Sequence, residues 1–212
     1  MIAAALSFVI SAVFAAVMAQ RWSRRGRAYQ AAWAIGFGMF AVAAAAGLAR
    51  QLSGVTDLNY RVFYLFGAVL NVAWLSLGTI HLLTPPRVAR WATWVVIVFT
   101  VLGVIAVAVS PVDLSKAADT GRGFDAAPFP RILAGIGSGL GSLILIGGAL
   151  WSAWGFVAKR HEGRRALANV VIAVGVLIAA VGGTAAFTGA TGVVEWTNFI
   201  GVLVIFIGVL LT

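Results

Sequence analysis

Seven long apolar runs, almost free of charge, occupy nearly the whole chain. A hydrocarbon core of about 30 Å is spanned by about 20 helical residues at a rise of about 1.5 Å each. The 212 residues are 62% hydrophobic and only 10% charged, which is far from a soluble composition. We therefore expect one all-α domain over residues 1–212, a polytopic membrane protein built as a bundle of seven transmembrane helices. The expected spans are residues 2–20, 29–49, 60–83, 91–110, 132–157, 166–187 and 194–212.

The basic residues between the runs predict the orientation of the bundle. Ten of the fifteen Lys and Arg residues follow the first, third and fifth runs, and five lie at the opposite ends. Positively charged loops stay in the cytoplasm. We expect the N-terminus outside and the C-terminus cytoplasmic, in a multi-pass protein of the cytoplasmic (inner) membrane. The net charge of +9 lies nearest to anionic lipid of the bilayer, so nucleic acid is not an expected partner.

Most side chains that carry enzyme chemistry are missing from the predicted spans. There is no cysteine, and His81 and His161 stand at or beyond the predicted cytoplasmic ends. Both lysines lie in loops, and no carboxylate lies deep within a span. Haem ligation, a metal site, a retinal Schiff base and an acidic proton relay are therefore not expected. The prediction is a protein that is not an enzyme, with no catalytic residues, no metal and no cofactor.

The third run carries its polar and aromatic residues on one helical face. Asn71 lies about 16 Å into this span, close to the bilayer midplane, where an amide exposed to lipid is costly. We therefore expect its face to point into the bundle. Spacings of four and three residues place the following residues on that face: Tyr60, Tyr64, Gly67, Asn71, Trp74, Gly78 and His81.

Two interpretations of this face stay open. In the first, Asn71 donates a hydrogen bond to a neighbouring helix while Trp74 fills the core, as polar groups in membrane bundles commonly do. In the second, Asn71 and Trp74 form the floor of a ligand cavity that opens outward past Tyr64 and Tyr60. The second interpretation makes this face the candidate binding site.

Arg61 and Glu195 are the charges that border the third and seventh runs at the predicted outer face. Each either extends to the lipid headgroups or pairs with the other across the mouth of the cavity. The candidate ligand-binding residues are therefore Tyr60, Arg61, Tyr64, Asn71, Trp74 and Glu195.

The fifth run, with the segment GIGSGLGSLILIGG, places small residues four apart. This spacing lets two helix backbones approach closely, so it predicts a packing helix and a surface through which an oligomer could form. A hinge or a pore lining is the alternative. The long connection before this run, residues 111–131, is either a plain tether or a lid that places Phe124 and Phe129 on the outer mouth of the bundle.

The stretch YRVFYLFGAVLNVAWLSLGTIHLL, preceded by RRGRAYQAAWAIGFGMF, resembles uncharacterised bacterial seven-helix integral membrane proteins. It is more distantly similar to the seven-helix sensor region at the N-terminus of some histidine kinases. The resemblance covers the first four predicted helices. It implies a sensor or accessory subunit. The output then belongs to a partner membrane subunit, to a cytoplasmic output protein or to a segment of the chain beyond Thr212.

The sequence therefore favours a non-enzymatic membrane module that binds a small or lipophilic ligand, or a partner, at the helix-three face. The alternative is a small transporter or channel. The SWEET sugar transporters have a similar length, seven helices and a division into three, one and three helices, which this chain also permits. Their proline-glutamine motifs are missing, since all five prolines are predicted to lie in loops.

Overall fold

A computed structural model describes residues 1–117, 122–160, 162–188 and 191–211, and this part of the chain is helical without any strand. Six helices are long and apolar enough to cross a membrane, and a further helix is apolar over Val194–Val209. The prediction of an all-α, multi-pass membrane protein is confirmed. The helices are α1 (Ile2–Arg25), α2 (Ala28–Ser53), α3 (Asp57–Leu83), α4 (Pro86–Val109), α5 (residues 128–160), α6 (Gly163–Thr188) and α7 (Thr191–Leu210).

Local sequence signals define several helix ends. Gly26 ends α1 with a φ of 63°, a left-handed conformation that glycine adopts without strain. Thr56 and Asn59 form a capping box at the start of α3, in which each side chain accepts a hydrogen bond from the backbone N–H of the other.

Three prolines lie in helices, although the sequence pattern placed them in loops. Pro86 begins α4, and Pro128 and Pro130 lie in the first turn of α5. The first N–H groups of a helix have no partner inside that helix, so proline removes no hydrogen bond there. In the described residues no proline lies further inside a helix, so none stands where the SWEET proline-glutamine motifs would require it.

The helices α1, α2, α3, α5, α6 and α7 form a ring, and α4 lies outside it. Each ring helix packs on the next in this order, and α7 packs back on α1. Helix α4 contacts α3 and the beginning of α5, and most of its surface is exposed. The ring therefore surrounds a central space to which α4 does not contribute.

Two π-helical segments face each other where α3 meets α5. They are Leu65–Leu70 of α3 and Gly135–Leu140 of α5. Ser138 Oγ donates a hydrogen bond to the carbonyl of Ala68 at 2.6 Å. A widened turn leaves backbone carbonyls available to such partners, and turns of this kind are frequent at functional sites.

The glycines of α5 divide between two faces. Gly137 and Gly141 lie directly against the backbone carbonyls of Val69 and Val72, so the small-residue spacing is used for close packing within the chain. Gly139 belongs to the other face, where an added Cβ would meet no atom within 4 Å. An oligomer formed through α5 would therefore have to use this second face.

We expect Gly137→Ala to destabilise the protein, because the added Cβ would collide with the Val69 carbonyl. Overpacking of this kind costs about 1–3 kcal/mol of the free energy of unfolding. Thermal unfolding of the detergent-solubilised protein measures the effect. Gly147→Ala is the matched control, because its Cβ enters open space on the same helix. Equal midpoints for the two variants would contradict the proposed backbone contact.

Candidate functional site

The ring helices enclose a cavity of about 950 Å³. Residues of all six ring helices form its wall, and α4 contributes none. The cavity lies towards the end of the bundle that holds the N-terminus of α1, which we call the N-terminal end. Its volume is near the upper limit of typical ligand pockets.

Aromatic packing fills the half of the bundle that lies away from the N-terminal end. The ring of Phe14 lies 4.1 Å from that of Phe37 and 5.5 Å from that of Phe206. Trp33 Nε1 donates a hydrogen bond to the Leu75 carbonyl at 3.1 Å. Phe37 and Leu75 line both the cavity and a pocket of only about 80 Å³ beyond it. The large cavity is therefore confined to one half of the bundle.

Asn71 lies in the cavity wall, directly after the π-helical segment of α3, and is 2% exposed. Its Oδ1 accepts a hydrogen bond from the backbone N–H of Val72 at 2.7 Å. A backbone N–H only donates, so this bond leaves the Nδ2 hydrogens of Asn71 for other partners. Nδ2 has no partner among the residues that the structure describes. The cavity wall therefore carries a hydrogen-bond donor that has no acceptor in the described part of the chain.

Two hydroxyl groups of the cavity wall also lack a hydrogen-bond partner. Ser7 and Tyr64 are cavity-wall residues, and their side-chain oxygens are buried without a hydrogen-bond partner in the described part of the chain. A buried polar group that lacks a partner costs about 1–3 kcal/mol. The N-terminal half of the bundle thus retains unsatisfied polar groups around an otherwise apolar space.

The aromatic residues at the start of α3 do not form an open mouth. Tyr60 accepts a hydrogen bond from the Gly123 N–H at 2.9 Å and lines no part of the cavity. The ring of Phe124 lies 5.5 Å from that of Tyr60 and 4.8 Å from that of Tyr64. The expected route past Tyr64 and Tyr60 is therefore covered by the loop before α5. Phe129, the other aromatic residue assigned to a lid, is half exposed.

Polar contacts hold the described parts of this loop in place. Arg50 of α2 donates a hydrogen bond from Nη2 to the Ala117 carbonyl at 2.9 Å. The Asp113 N–H donates to the Gly123 carbonyl at 2.8 Å. The Ser115 hydroxyl donates to the Asp113 carboxylate and lowers its pKa. The loop is a cap on the bundle and not a plain tether.

Trp74 faces α4 and not the cavity. Its Nε1 donates a hydrogen bond to Thr100 Oγ1 at 3.1 Å. His81, seven residues later on the same face, lies 2.9 Å from Thr93 Oγ1. Leu75 takes the place in the cavity wall that the sequence assigned to Trp74. The floor interpretation of Trp74 is therefore corrected, because α4 lies outside the ring and covers this side of α3.

Arg61 holds the beginning of α3 to the end of α4. Its Nε lies 2.7 Å from Asp57 Oδ2, and its Nη1 donates to the carbonyls of Val107 and Ser110. A cation beside the last carbonyls of a helix is favourable, since these groups have no partner inside the helix. The structure thus gives Arg61 a packing role at the α3–α4 junction and separates it from the cavity.

Glu195 lines the cavity at its N-terminal end. It accepts a hydrogen bond from Gln51 Nε2 and lies 3.9 Å from the amino group of Met1. Arg61 and Glu195 therefore do not pair.

Sequence reasoning missed Asn198, which also lines the cavity three residues after Glu195. A second polar residue one helical turn along an apolar run was the signal that could have identified it.

These features define the class of protein: a multi-pass, all-helical membrane protein with an internal and mostly apolar cavity. Comparison of the chain with protein-family models, with curated proteins and with solved structures finds no match. In the described ranges no group of three or more His, Asp or Glu side chains is placed to hold a metal ion.

We expect Phe124→Ala to release the cap over Tyr60 and Tyr64. Loss of a fully buried phenylalanine costs on the order of 3–5 kcal/mol, here taken mainly from the free energy that holds the loop closed. Amide hydrogen exchange should become faster in peptides that cover residues 111–117 and 122–127. Phe129→Ala is the control, because that side chain is half exposed. Exchange that is equally slow in both variants would show that Phe124 does not hold the loop.

Proposed function

We propose that the chain is a non-enzymatic module of the cytoplasmic membrane that binds a small or lipophilic ligand beside Asn71. In this proposal seven helices cross the bilayer, and the protein serves as a sensor or as an accessory subunit of a membrane or cytoplasmic partner. The observation that carries it is the amide nitrogen of Asn71, which lies in the wall of a large apolar cavity and has no partner among the described residues.

The energetics favour a ligand with both apolar and hydrogen-bonding groups. Apolar surface removed from water contributes about 25 cal/mol per Å², and the cavity wall is largely hydrocarbon. An acceptor placed against Asn71 Nδ2 would also supply the hydrogen bond that this donor lacks in the described part of the chain. A purely structural subunit would gain nothing from leaving this amide and the space beside it unfilled.

The shape of the cavity supports a receptor more than a channel. The layer formed by Phe14, Phe37 and Phe206 separates it from the other end of the bundle. A channel needs a path between the two ends, whereas a receptor needs access from one side only. Asn71 also follows the π-helical segment of α3, so a ligand there would act next to the contact between α3 and α5.

The exposed tryptophans support the proposed orientation. Indole rings favour the membrane interface, and basic loops favour the cytoplasm. Five exposed or half-exposed tryptophans occur at the helix ends that carry most of the basic residues: Trp22, Trp91, Trp94, Trp151 and Trp154.

A small transporter is the second candidate. The three helices before α4 and the three helices after it line the cavity together, while α4 lies outside. This is the division into three, one and three helices that the SWEET transporters have. In an alternating-access mechanism, the cavity would have to open to the opposite end in a second conformation.

Replacing Asn71 with Leu should abolish ligand retention while the protein still folds. The leucine fills similar space and supplies no donor. Mass spectrometry of small molecules that co-purify with the protein measures retention, and thermal unfolding measures folding. Ser76→Ala is the control, because Ser76 is a buried polar residue of α3 outside the cavity. A folded Asn71→Leu protein that retains the same compounds would contradict the proposed site.

Cysteine labelling tests the orientation and separates the two candidates, because every introduced cysteine is the only one in the chain. A membrane-impermeant maleimide should label Ser115→Cys from outside the cell and Ser23→Cys only from the cytoplasmic side. The reverse pattern would overturn the orientation.

Ser142→Cys, in the cavity wall, should stay unlabelled from the cytoplasmic side. Labelling of that position from the cytoplasm would favour the transporter.

A further inference from the structure

The packing of α5 against α6 leaves a gap beside the cavity. These two helices pack together mainly along Gly141–Gly155 of α5 and have little contact along Gly135–Leu140. Residues beside this gap line the cavity and are also exposed. They are Ile136, Leu140, Leu143 and Leu177, with exposed fractions of 43%, 56%, 67% and 49%.

The position of this gap determines which molecules can reach it. It lies along the sides of two helices that are long and apolar enough to cross a membrane, and its rim consists of aliphatic side chains. Such a surface faces acyl chains, since irregular or polar surface is not stable against lipid. A water-soluble ligand would have to cross hydrocarbon to use this entrance, whereas a lipid chain is already beside it.

Two other directions are covered by side chains. Phe124 and the loop before α5 cover the end of α3, and the aromatic layer around Phe14 and Phe37 fills the opposite half. The glycines of α5 keep the side gap wide. An added Cβ at Gly135 or Gly139 would meet no atom within 4 Å, and both residues belong to the cavity wall.

The chemistry of the wall indicates what the gap admits. Most wall residues are apolar, including Phe40, Phe63 and Ile146, and they match a hydrocarbon chain. The available group of Asn71 is a donor, so it pairs with an acceptor such as a carbonyl or ether oxygen and not with a cation.

We propose that the ligand is a membrane lipid whose hydrocarbon chain, bearing an oxygen acceptor, enters the cavity sideways from the bilayer between α5 and α6. This inference rests on the proposed function, because it names the ligand class of the cavity beside Asn71. It adds a route, and the route and the ligand are tested separately.

The test uses the full chain in vesicles of phosphatidylethanolamine and phosphatidylglycerol that contain a phosphatidylethanolamine with a photoreactive diazirine at the end of one acyl chain. After irradiation, mass spectrometry locates the labelled residues. We expect label on Phe40 and Ala44, which line the cavity. Label on Val98 and Ile105 of α4, which are exposed, is the internal standard for contact with bulk lipid.

Two substitutions close the gap and a third controls for them. Gly139→Trp and Gly135→Phe place a ring in the open space at the entrance, and each should abolish cavity labelling without changing the label on α4. Gly147→Trp adds the same bulk on the same helix outside the cavity wall and should change neither signal. Thermal unfolding identifies any variant that is not folded, and the second gap variant then decides the result.

Each contrary outcome removes a defined part of the inference. Wild-type protein labelled only on α4 would show that lipid chains do not occupy the cavity, and a water-soluble ligand retained through Asn71 would still satisfy the proposed function. Cavity labelling that persists in a folded gap variant would overturn the sideways route. Cavity labelling that persists in Asn71→Leu would keep the route and remove Asn71 from the site. Organic extraction of the purified protein then separates a phospholipid from a single-chain or isoprenoid lipid by mass.

Discussion

The close approach of α3 and α5 is the contact on which the rest of the structure depends. Gly137 and Gly141 bring the two backbones together, and Ser138 bonds to the Ala68 carbonyl beside the π-helical turn. In a bilayer no water is available to satisfy a backbone carbonyl, so a widened turn persists only where a neighbouring helix supplies a donor. The same turn ends at Asn71 and thereby sets the direction of its amide towards the ring centre.

The cavity follows from the ring arrangement. Contacts between small residues hold neighbouring helices together at their edges, and no helix occupies the centre. Large aromatic side chains fill one half, whereas many wall residues of the other half are alanine, glycine or serine, which leave space open. The short side chains of this half also leave Ser7 without a partner in the described part of the chain.

The individual site residues show where inference from one helix stops. The inward direction of Asn71 was predictable, since an amide at mid-depth cannot face lipid. Helical spacing also grouped Trp74 with Asn71, but it could not indicate that α4 would pack on that side and bind the indole through Thr100. Arg61 and Glu195 were grouped because both are charged and lie at one end. Arg61 instead pairs with Asp57 of its own helix and with carbonyls at the end of α4, whereas Glu195 accepts a hydrogen bond from Gln51 of α2.

The sequence by itself determined that the chain is helical and crosses a membrane several times, and it placed the helices to within a few residues. These properties depend on run length, hydropathy and charge, which are local and act through the solvent. Only the tertiary structure decided the ring order, the exclusion of α4, the covering of Tyr60 and Tyr64 by the loop, and the gap between α5 and α6. In lipid, apolar helix faces do not differ in hydrophobicity, so shape and hydrogen bonds between distant residues select the partners of each helix.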